Sequence, residues 1–324
     1  MCSSDLVSDG ELGKVGYSTY ITSRLSGFGG HVDRVPAKDL ADLPELRTKL
    51  AAIMGTQGFV RASCIGKVRL IDSRPVDDDI RRFASAMRKQ GKDVRGFMNA
   101  ASPGLVTAFQ PNQFYPTHEA YLADLVEAMR PEYEAIVAAG FDLQLDAPDL
   151  AMAAHTGFQS LSEAEFLRRA EQNVEALNAA TANIPPERMR MHICWGNYEG
   201  PHDHDIELEK VIDVVLKARP AQLLFEAANP RHEHEWIVWR DAGLSDDKVL
   251  VPGLIDTCSN YIEHPELIAQ RIERYAAIVG ADRVIAGTDC GFGTFAGYGK
   301  IDPAVAWKKL RVLREGADIA ARRL

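Results

Sequence analysis

Four residues in this chain have types and spacings that could hold a metal ion: His192, Cys194, Glu226 and Cys290. His192 and Cys194 close the apolar run Met189-Arg190-Met191-His192-Ile193-Cys194. In a β-strand, positions i and i+2 point to one face, so an imidazole and a thiol would stand side by side. Two later apolar runs end in Phe225-Glu226 and in Asp289-Cys290-Gly291. Nitrogen, thiolate and carboxylate donors at successive strand ends suit the four-coordinate shell that Zn²⁺ prefers. Taken singly, a strand-end Cys is a small buried apolar residue and a lone Glu is a solvated one. Their joint occurrence at strand exits is what points to zinc. Asp146, Asp256 and Asp289 fall at the ends of apolar runs as well, an unusual gathering of ionisable groups.

The elements that must position these residues follow a regular rhythm after residue 92. Strands are expected over 94–99, 141–146, 189–194, 222–226, 249–255 and 283–286. Helices are expected over 119–139, 162–180, 205–218, 233–242 and 265–279, with a last one running to the C-terminus. Ser162-Glu163-Ala164-Glu165 has the form of a capping box, in which each side chain satisfies a free backbone donor at a helix start. Uninterrupted strand-helix alternation with short connections predicts a parallel sheet covered by helices. Six units, a strand remnant at Val7–Glu11 and one strand lost upstream make eight, so the predicted fold is α/β, a (β/α)₈ TIM barrel lacking its first strand through N-terminal truncation. Active sites of such barrels lie at the C-terminal strand ends, where His192, Cys194, Glu226 and Cys290 fall.

Before that rhythm the chain is less regular. Residues 14–34 read as a long excursion rather than a packed element, 39–54 as helical spacing interrupted by Pro44, and 77–89 as a helix with acidic residues in its first turn. An appended hairpin is expected around 56–74. Met1-Cys2-Ser3-Ser4-Asp5-Leu6 matches the translated tail of a common sequencing adaptor. Residues 1–6 are therefore read as a non-native leader and 7–324 as a single zinc-binding barrel domain.

The 324 residues carry a net charge of -9 with 46% hydrophobic residues, which describes a globular enzyme acting on a small molecule. Nucleic-acid or anionic-membrane partners require clustered Lys and Arg, which are missing. No apolar run of membrane-spanning length and no signal pattern is present, so a cytoplasmic protein is expected. Five irregularly spaced cysteines do not make a disulfide framework, and reduced thiols suit a metal site.

The segments Asp9-Gly10-Glu11, Gly140 through Asp146-Ala147-Pro148, His192-Ile193-Cys194, Phe225-Glu226, Gly253-Leu254-Ile255-Asp256 and Asp289-Cys290-Gly291 resemble, in order and over nearly the whole chain, the catalytic barrel of the cobalamin-independent methionine synthase family. The closer likeness is to its shorter archaeal-type and epoxyalkane:coenzyme M transferase-like members. The resemblance implies that His192, Cys194, Glu226 and Cys290 bind zinc, which holds a substrate thiol as thiolate. It also implies that Asp146 helps to hold the amino group of an amino-acid substrate, with Glu11 near the pocket. The substrate-binding set is Glu11, Asp146 and Asp289. Two departures stand out. Asp256-Thr257-Cys258 replaces the family's Asp-Ile-His, whose His assists methyl transfer, and Asp146-Ala147-Pro148 replaces Asp-Glu-Pro, removing one carboxylate. Asp256, Cys258, His202 and His204 are accordingly the candidates for acid-base work.

The expected reaction is zinc-dependent methyl or alkyl transfer to a small-molecule thiol, as in 5-methyltetrahydropteroyltriglutamate–homocysteine S-methyltransferases, which form methionine. Thiol addition to an epoxide and a zinc- and thiol-binding barrel without turnover are the alternatives. Pro201-His202-Asp203-His204-Asp205 and Arg231-His232-Glu233-His234-Glu235 read as polar, solvated helix-capping stretches that also offer candidate acids. A hydrolase of amidohydrolase type would carry its histidine pair inside an early strand, whereas Gly200-Pro201 breaks the strand before this pair.

Overall fold

Strands buried on both faces, such as β-strand residues 142–146 and 189–193, assemble here into a curled parallel sheet. The computed structural model describes residues 6–33, 35–53, 61–90, 94–296 and 301–324. In chain order, the N-terminal part holds β1 (Leu6–Ser8), α1 (Ile21–Arg24), β2 (Phe28–Val32), α2 (Lys38–Ala41), α3 (Pro44–Ile53), β3 (Arg61–Cys64) and α4 (Arg74–Gln90). The regular part follows with β4 (Arg95–Ala101), α5 (Pro103–Phe109), α6 (His118–Ala138), β5 (Asp142–Asp146), α7 (Glu163–Ala180) and β6 (Met189–Ile193). It continues with α8 (Leu208–Val215), β7 (Gln222–Phe225), α9 (Trp236–Asp241), β8 (Val249–Pro252), α10 (Pro265–Val279) and α11 (Pro303–Ala321).

The sheet order is β1-β4-β5-β6-β7-β8, with every neighbouring pair parallel. Residues 284–287 add a seventh parallel segment beside β8, where Ile285 N–H donates to Leu250 O (2.9 Å) and Gly287 N–H to Pro252 O (3.1 Å). Seven segments match the six expected units plus the remnant. Among the described residues, no pairing joins β1 to 284–287. All five positions of β5 are buried, because side chains on one face fill the barrel interior and those on the other meet the helices. The capping box of α7 forms as expected: Ser162 Oγ accepts from Glu165 N–H while Ser162 N–H donates to the Glu165 carboxylate.

The register fixes the site. Asp146 pairs with His192, and Ile193 with Phe225, so the ends of β5, β6 and β7 are level. Residues that are 46 and 32 positions apart thereby reach one rim.

Three early expectations change. The excursion over 14–34 is packed: Tyr20, Ile21 and Leu25 are buried, and Arg24 lies between Asp79 (2.7 Å) and Glu132 (2.8 Å). Those partners are distant in sequence, so no local periodicity announces the element. Pro44 begins α3 rather than interrupting a helix, as its fixed φ and missing N–H allow at a first turn. The arm expected around 56–74 includes residues 56–60, which lie outside the described set; its strand β3 pairs antiparallel with the distant β2. Of the leader, Met1–Asp5 lie outside the described residues, while Leu6 pairs with Arg95 in the sheet.

Candidate metal centre

His192 ends β6 with its imidazole held from both sides. Nδ1 lies 3.4 Å from Asp146 Oδ1 on the neighbouring strand, and Nε2 lies 3.1 Å from Asp289 O and 3.8 Å from Cys290 Sγ. Cys194 Sγ stands 3.5 Å from Cys290 Sγ. The donor atoms of His192, Cys194 and Cys290 all lie within 4.8 Å of one another, and no disulfide joins the two thiols. This is an arrangement able to share one metal ion. With Asp146 accepting the Nδ1 proton, Nε2 can present its lone pair to a metal once it gives up its contact with Asp289 O, as carboxylates beside metal-bound imidazoles commonly ensure.

Protonation follows the same geometry. Burial disfavours the His192 cation, but the hydrogen bond and charge of Asp146 outweigh it, and the His192 pKa is raised. The Cys290 thiol is pushed up by its contact with Cys194 and then by burial. For Cys194 the Cys290 contact pulls the pKa down, yet burial and the charge of Glu226 leave it raised. Two thiols beside an imidazole, that of Cys194 buried and that of Cys290 half-buried, are groups that a cation would deprotonate.

Glu226 stands outside this triad of donors. Its Oε1 accepts from the N–H groups of Trp195 (2.7 Å) and Gly196 (3.3 Å), and its Oε2 from Asn229 Nδ2 (2.9 Å). Gly196 has φ +131°, a conformation open to glycine, and with it the chain turns out of β6 so that two successive N–H groups meet one carboxylate oxygen.

The remaining expected site residues are placed as follows. Asp289 is buried, its Oδ1 accepts from Ala227 N–H (2.8 Å) and Ala228 N–H (2.9 Å), and its pKa is pushed well up by burial and by the charge of Glu226. It thus orders the loop after β7. Glu11 has φ +54° and a carboxyl raised to about 7, by burial first and then by the charge of Asp146. Asp256 accepts from Cys258 N–H (2.8 Å), and the Cys258 thiol donates to Asn197 Oδ1 (3.2 Å). His204 and His234 are exposed, but His202 and His232 are buried, contrary to the solvated capping role expected of both stretches. Each is held by acidic residues of its own or the other stretch.

Asn197 was not singled out by sequence. Its Nδ2 donates to Gly291 O (2.7 Å), and its Oδ1 accepts from Thr257 and Cys258, so one amide links three loops around the site. Its position three residues beyond Cys194 was the only available signal.

Gly253 is a packing requirement of the site. A β-carbon there would sit 2.1 Å from Asp289 Oδ1 and 2.5 Å from Asp289 Cα. Gly253→Ala is expected to push Asp289 off Ala227 and Ala228 and to displace the adjacent Cys290. Overpacking of this kind typically costs about 1–3 kcal/mol. Thermal unfolding and metal content, measured together, should both fall, and a variant with unchanged values would contradict the close packing.

No family model matches the sequence. The methionine synthase of Thermococcus kodakarensis is 20% identical over 325 residues, covering 99% of this chain and 79% of that protein. The 2-hydroxypropyl-CoM lyase of Xanthobacter autotrophicus is 28% identical over 171 residues, covering 45% of this chain and 44% of the lyase. Among solved structures, a B12-independent methionine synthase from Shewanella sp. W3-18-1, in complex with selenomethionine, superposes with a TM-score of 0.72 at 20% identity, covering 98% of this chain and 83% of that one. The chain is therefore similar to the B12-independent methionine synthases over nearly its whole length and shares their barrel fold.

Proposed function

We propose that this protein is a zinc-dependent enzyme that transfers a methyl or other alkyl group to a small-molecule thiol, with homocysteine and a methylated folate as the first-ranked pair. The observation that supports this most directly is the cluster of His192, Cys194 and Cys290 with Asp146 behind the imidazole. Tetrahedral zinc with bonds near 2.3 Å to sulfur and 2.0–2.1 Å to nitrogen separates two sulfurs by about 3.8 Å and a sulfur from a nitrogen by about 3.6 Å. The 3.5 Å and 3.8 Å contacts fit within a few tenths of an ångström. Glu226 is the proposed fourth donor, reached by turning its carboxylate away from the loop amides. Zinc held by these residues would supply the charge that keeps a substrate thiol deprotonated at neutral pH.

The chain's own residues then have separate tasks. Asp146 orients His192, Asp289 and Gly253 set the position of Cys290, and Glu11 with Asp146 faces the ammonium of an amino-acid acceptor. In the transfer, the thiolate sulfur bonds to the alkyl carbon, the carbon–nitrogen bond to the donor breaks, and the donor nitrogen takes a proton. Asp256, Cys258, His202 and His204 were the sequence candidates for that proton; His202 is turned into a separate buried cluster and His204 faces solvent, which leaves the Asp256–Cys258 loop nearest to the task. Among the described residues, no helix is long and apolar enough to cross a membrane.

The overlap with 2-hydroxypropyl-CoM lyase favours a second reading, in which the thiolate opens an epoxide. Mass spectrometry of products, with homocysteine and coenzyme M each offered against methylated folate and a small epoxide, separates the two. No thioether from any pairing would leave a thiol-binding barrel without turnover.

The Glu11 carboxyl provides a pH test. Because its pKa is raised to about 7, it is largely protonated below that value and must release the proton to pair with an ammonium group. Homocysteine affinity should therefore rise with pH through about 7, by up to about tenfold per pH unit on the acid side. Glu11→Gln should flatten that component in calorimetric titrations. An identical slope in wild type and variant would remove Glu11 from the binding site.

A further inference from the structure

A second cluster of metal-ligating side chains lies apart from the thiols. His155 follows β5, His202 and Asp205 follow β6, and His232 follows β7. All four are buried, His155 completely. Asp205 is their centre: its Oδ2 lies 2.7 Å from His202 Nδ1 and 2.9 Å from His232 Nε2, and its Oδ1 lies 3.2 Å from His155 Nδ1.

The outer nitrogens of two of these rings are already committed. His232 Nδ1 lies 2.8 Å from Glu235 Oε2, whose other oxygen accepts from Leu208 N–H, and His202 Nε2 lies 3.0 Å from Tyr198 O. An acceptor on the far nitrogen fixes the ring proton there and turns the near lone pair inward, as around metal-bound imidazoles generally. The third ring has no such assignment. His155 Nδ1 and Nε2 and Asp205 Oδ1 have no hydrogen-bond partner among the described residues, although all three atoms are buried. His202 is also held at φ +55°, a backbone region that residues with a β-carbon rarely enter.

We propose that His202, Asp205 and His232, with His155 beside the carboxylate, form a second, structural metal site for a divalent cation of zinc type. Protons alone could satisfy His202 and His232, but only as two imidazolium ions sharing one carboxylate oxygen. One divalent ion would take the inward lone pairs of His202 and His232 and an oxygen of Asp205, whose ligand atoms all lie within 4.8 Å of one another, leaving His155 against the carboxylate, 3.2 Å from its Oδ1. Two imidazoles and a carboxylate are a donor set that zinc accepts. Tetrahedral ligand atoms around zinc stand about 3.4 Å apart, so the 2.7 Å and 2.9 Å contacts of His202 and His232 with Asp205 must open by about 0.5–0.7 Å to admit it.

The site would tie together the loops after three consecutive strands. It would also brace the thiol centre, because the Trp195 indole, one residue beyond Cys194, stacks on His232 with centroids 4.2 Å apart.

The test is metal analysis of the full chain with cobalt spectroscopy. Wild-type protein should hold about two zinc ions, and Cys194→Ser/Cys290→Ser should retain about one. Cobalt in that double variant should show ligand-field bands without thiolate charge transfer. Asp205→Asn, close to Asp in shape, should lose the retained ion while keeping the thiolate-to-cobalt band. Folding of each variant is checked by circular dichroism. A folded double variant that binds no metal overturns the second site and leaves the thiol centre standing. A single ion that survives the double variant but not Asp205→Asn supports the second site and overturns the thiol centre instead. Metal-free wild type, after purification in zinc, overturns both.

Discussion

Cys290→Ala and His192→Ala are each expected to release the thiolate-bound metal, abolishing the thiolate-to-cobalt charge-transfer band in substituted protein. Each variant removes one of the three donors that lie together at the strand ends. A site deprived of one of its few donors holds zinc weakly, and ligation by Cys is coupled to loss of its proton. Retention of the band in both variants would sink the thiol centre. Cys64→Ser and Cys258→Ser should leave it intact. Cys64 lies in β3, with its thiol donating to Gly66 O, and Cys258 is occupied with Asn197. Glu226→Gln resolves the fourth donor. The amide oxygen can still accept from Trp195 and Gly196, but it is a poorer ligand than a carboxylate. Zinc affinity should fall by about 10–100-fold, of the order seen when supporting groups of metal sites are lost. Unchanged affinity would make Glu226 purely the anchor of that loop.

The second large effect concerns the leaving group. Methyl transfer from a folate nitrogen requires a proton at that nitrogen, whereas opening a strained epoxide asks less of an acid. In the resembling synthases a His follows the seventh strand where this chain has Cys258. The Cys258 thiol here donates to Asn197 Oδ1 and its N–H to Asp256, so it is fixed in the loop after β8. Loss of a positioned general acid typically costs about 10²–10⁴-fold. Folate-dependent methionine formation by the wild type should be slow by that order, and Cys258→His should raise it. Since Asn197 Oδ1 also accepts from Thr257, the loop keeps one of its two ties to that amide in the variant. Brisk methyl transfer by wild type, without gain in the variant, would show that another group delivers the proton. The 2-hydroxypropyl-CoM lyase overlap makes epoxide opening the activity to measure beside it.

Much of this was legible in the chain itself. The alternation after residue 92 gives the sheet order directly, because parallel strands joined by helices have few ways to be arranged. The i, i+2 spacing of His192 and Cys194 sets two donors on one face, and the apolar run before Cys290 makes it a strand-exit residue. Strand periodicity states which way a side chain points at the rim, and at a barrel rim that is enough to locate a site.

Periodicity says nothing about which partner a rim residue chooses. Only the tertiary structure decided that Glu226 accepts from the amides of Trp195 and Gly196, that Asp289 holds the backbone of Ala227 and Ala228, and that Asp146 backs His192. Nor could the polar look of the stretches around His202 and His232 reveal their burial. Each supplies part of a buried cluster whose other members lie on different loops, 27 and 77 residues apart for Asp205–His232 and His155–His232. A buried ionisable group is stabilised by its neighbours in space. The sequence therefore determines the scaffold and the rim, and only the register of strands and the closing of loops onto one another fix the partners.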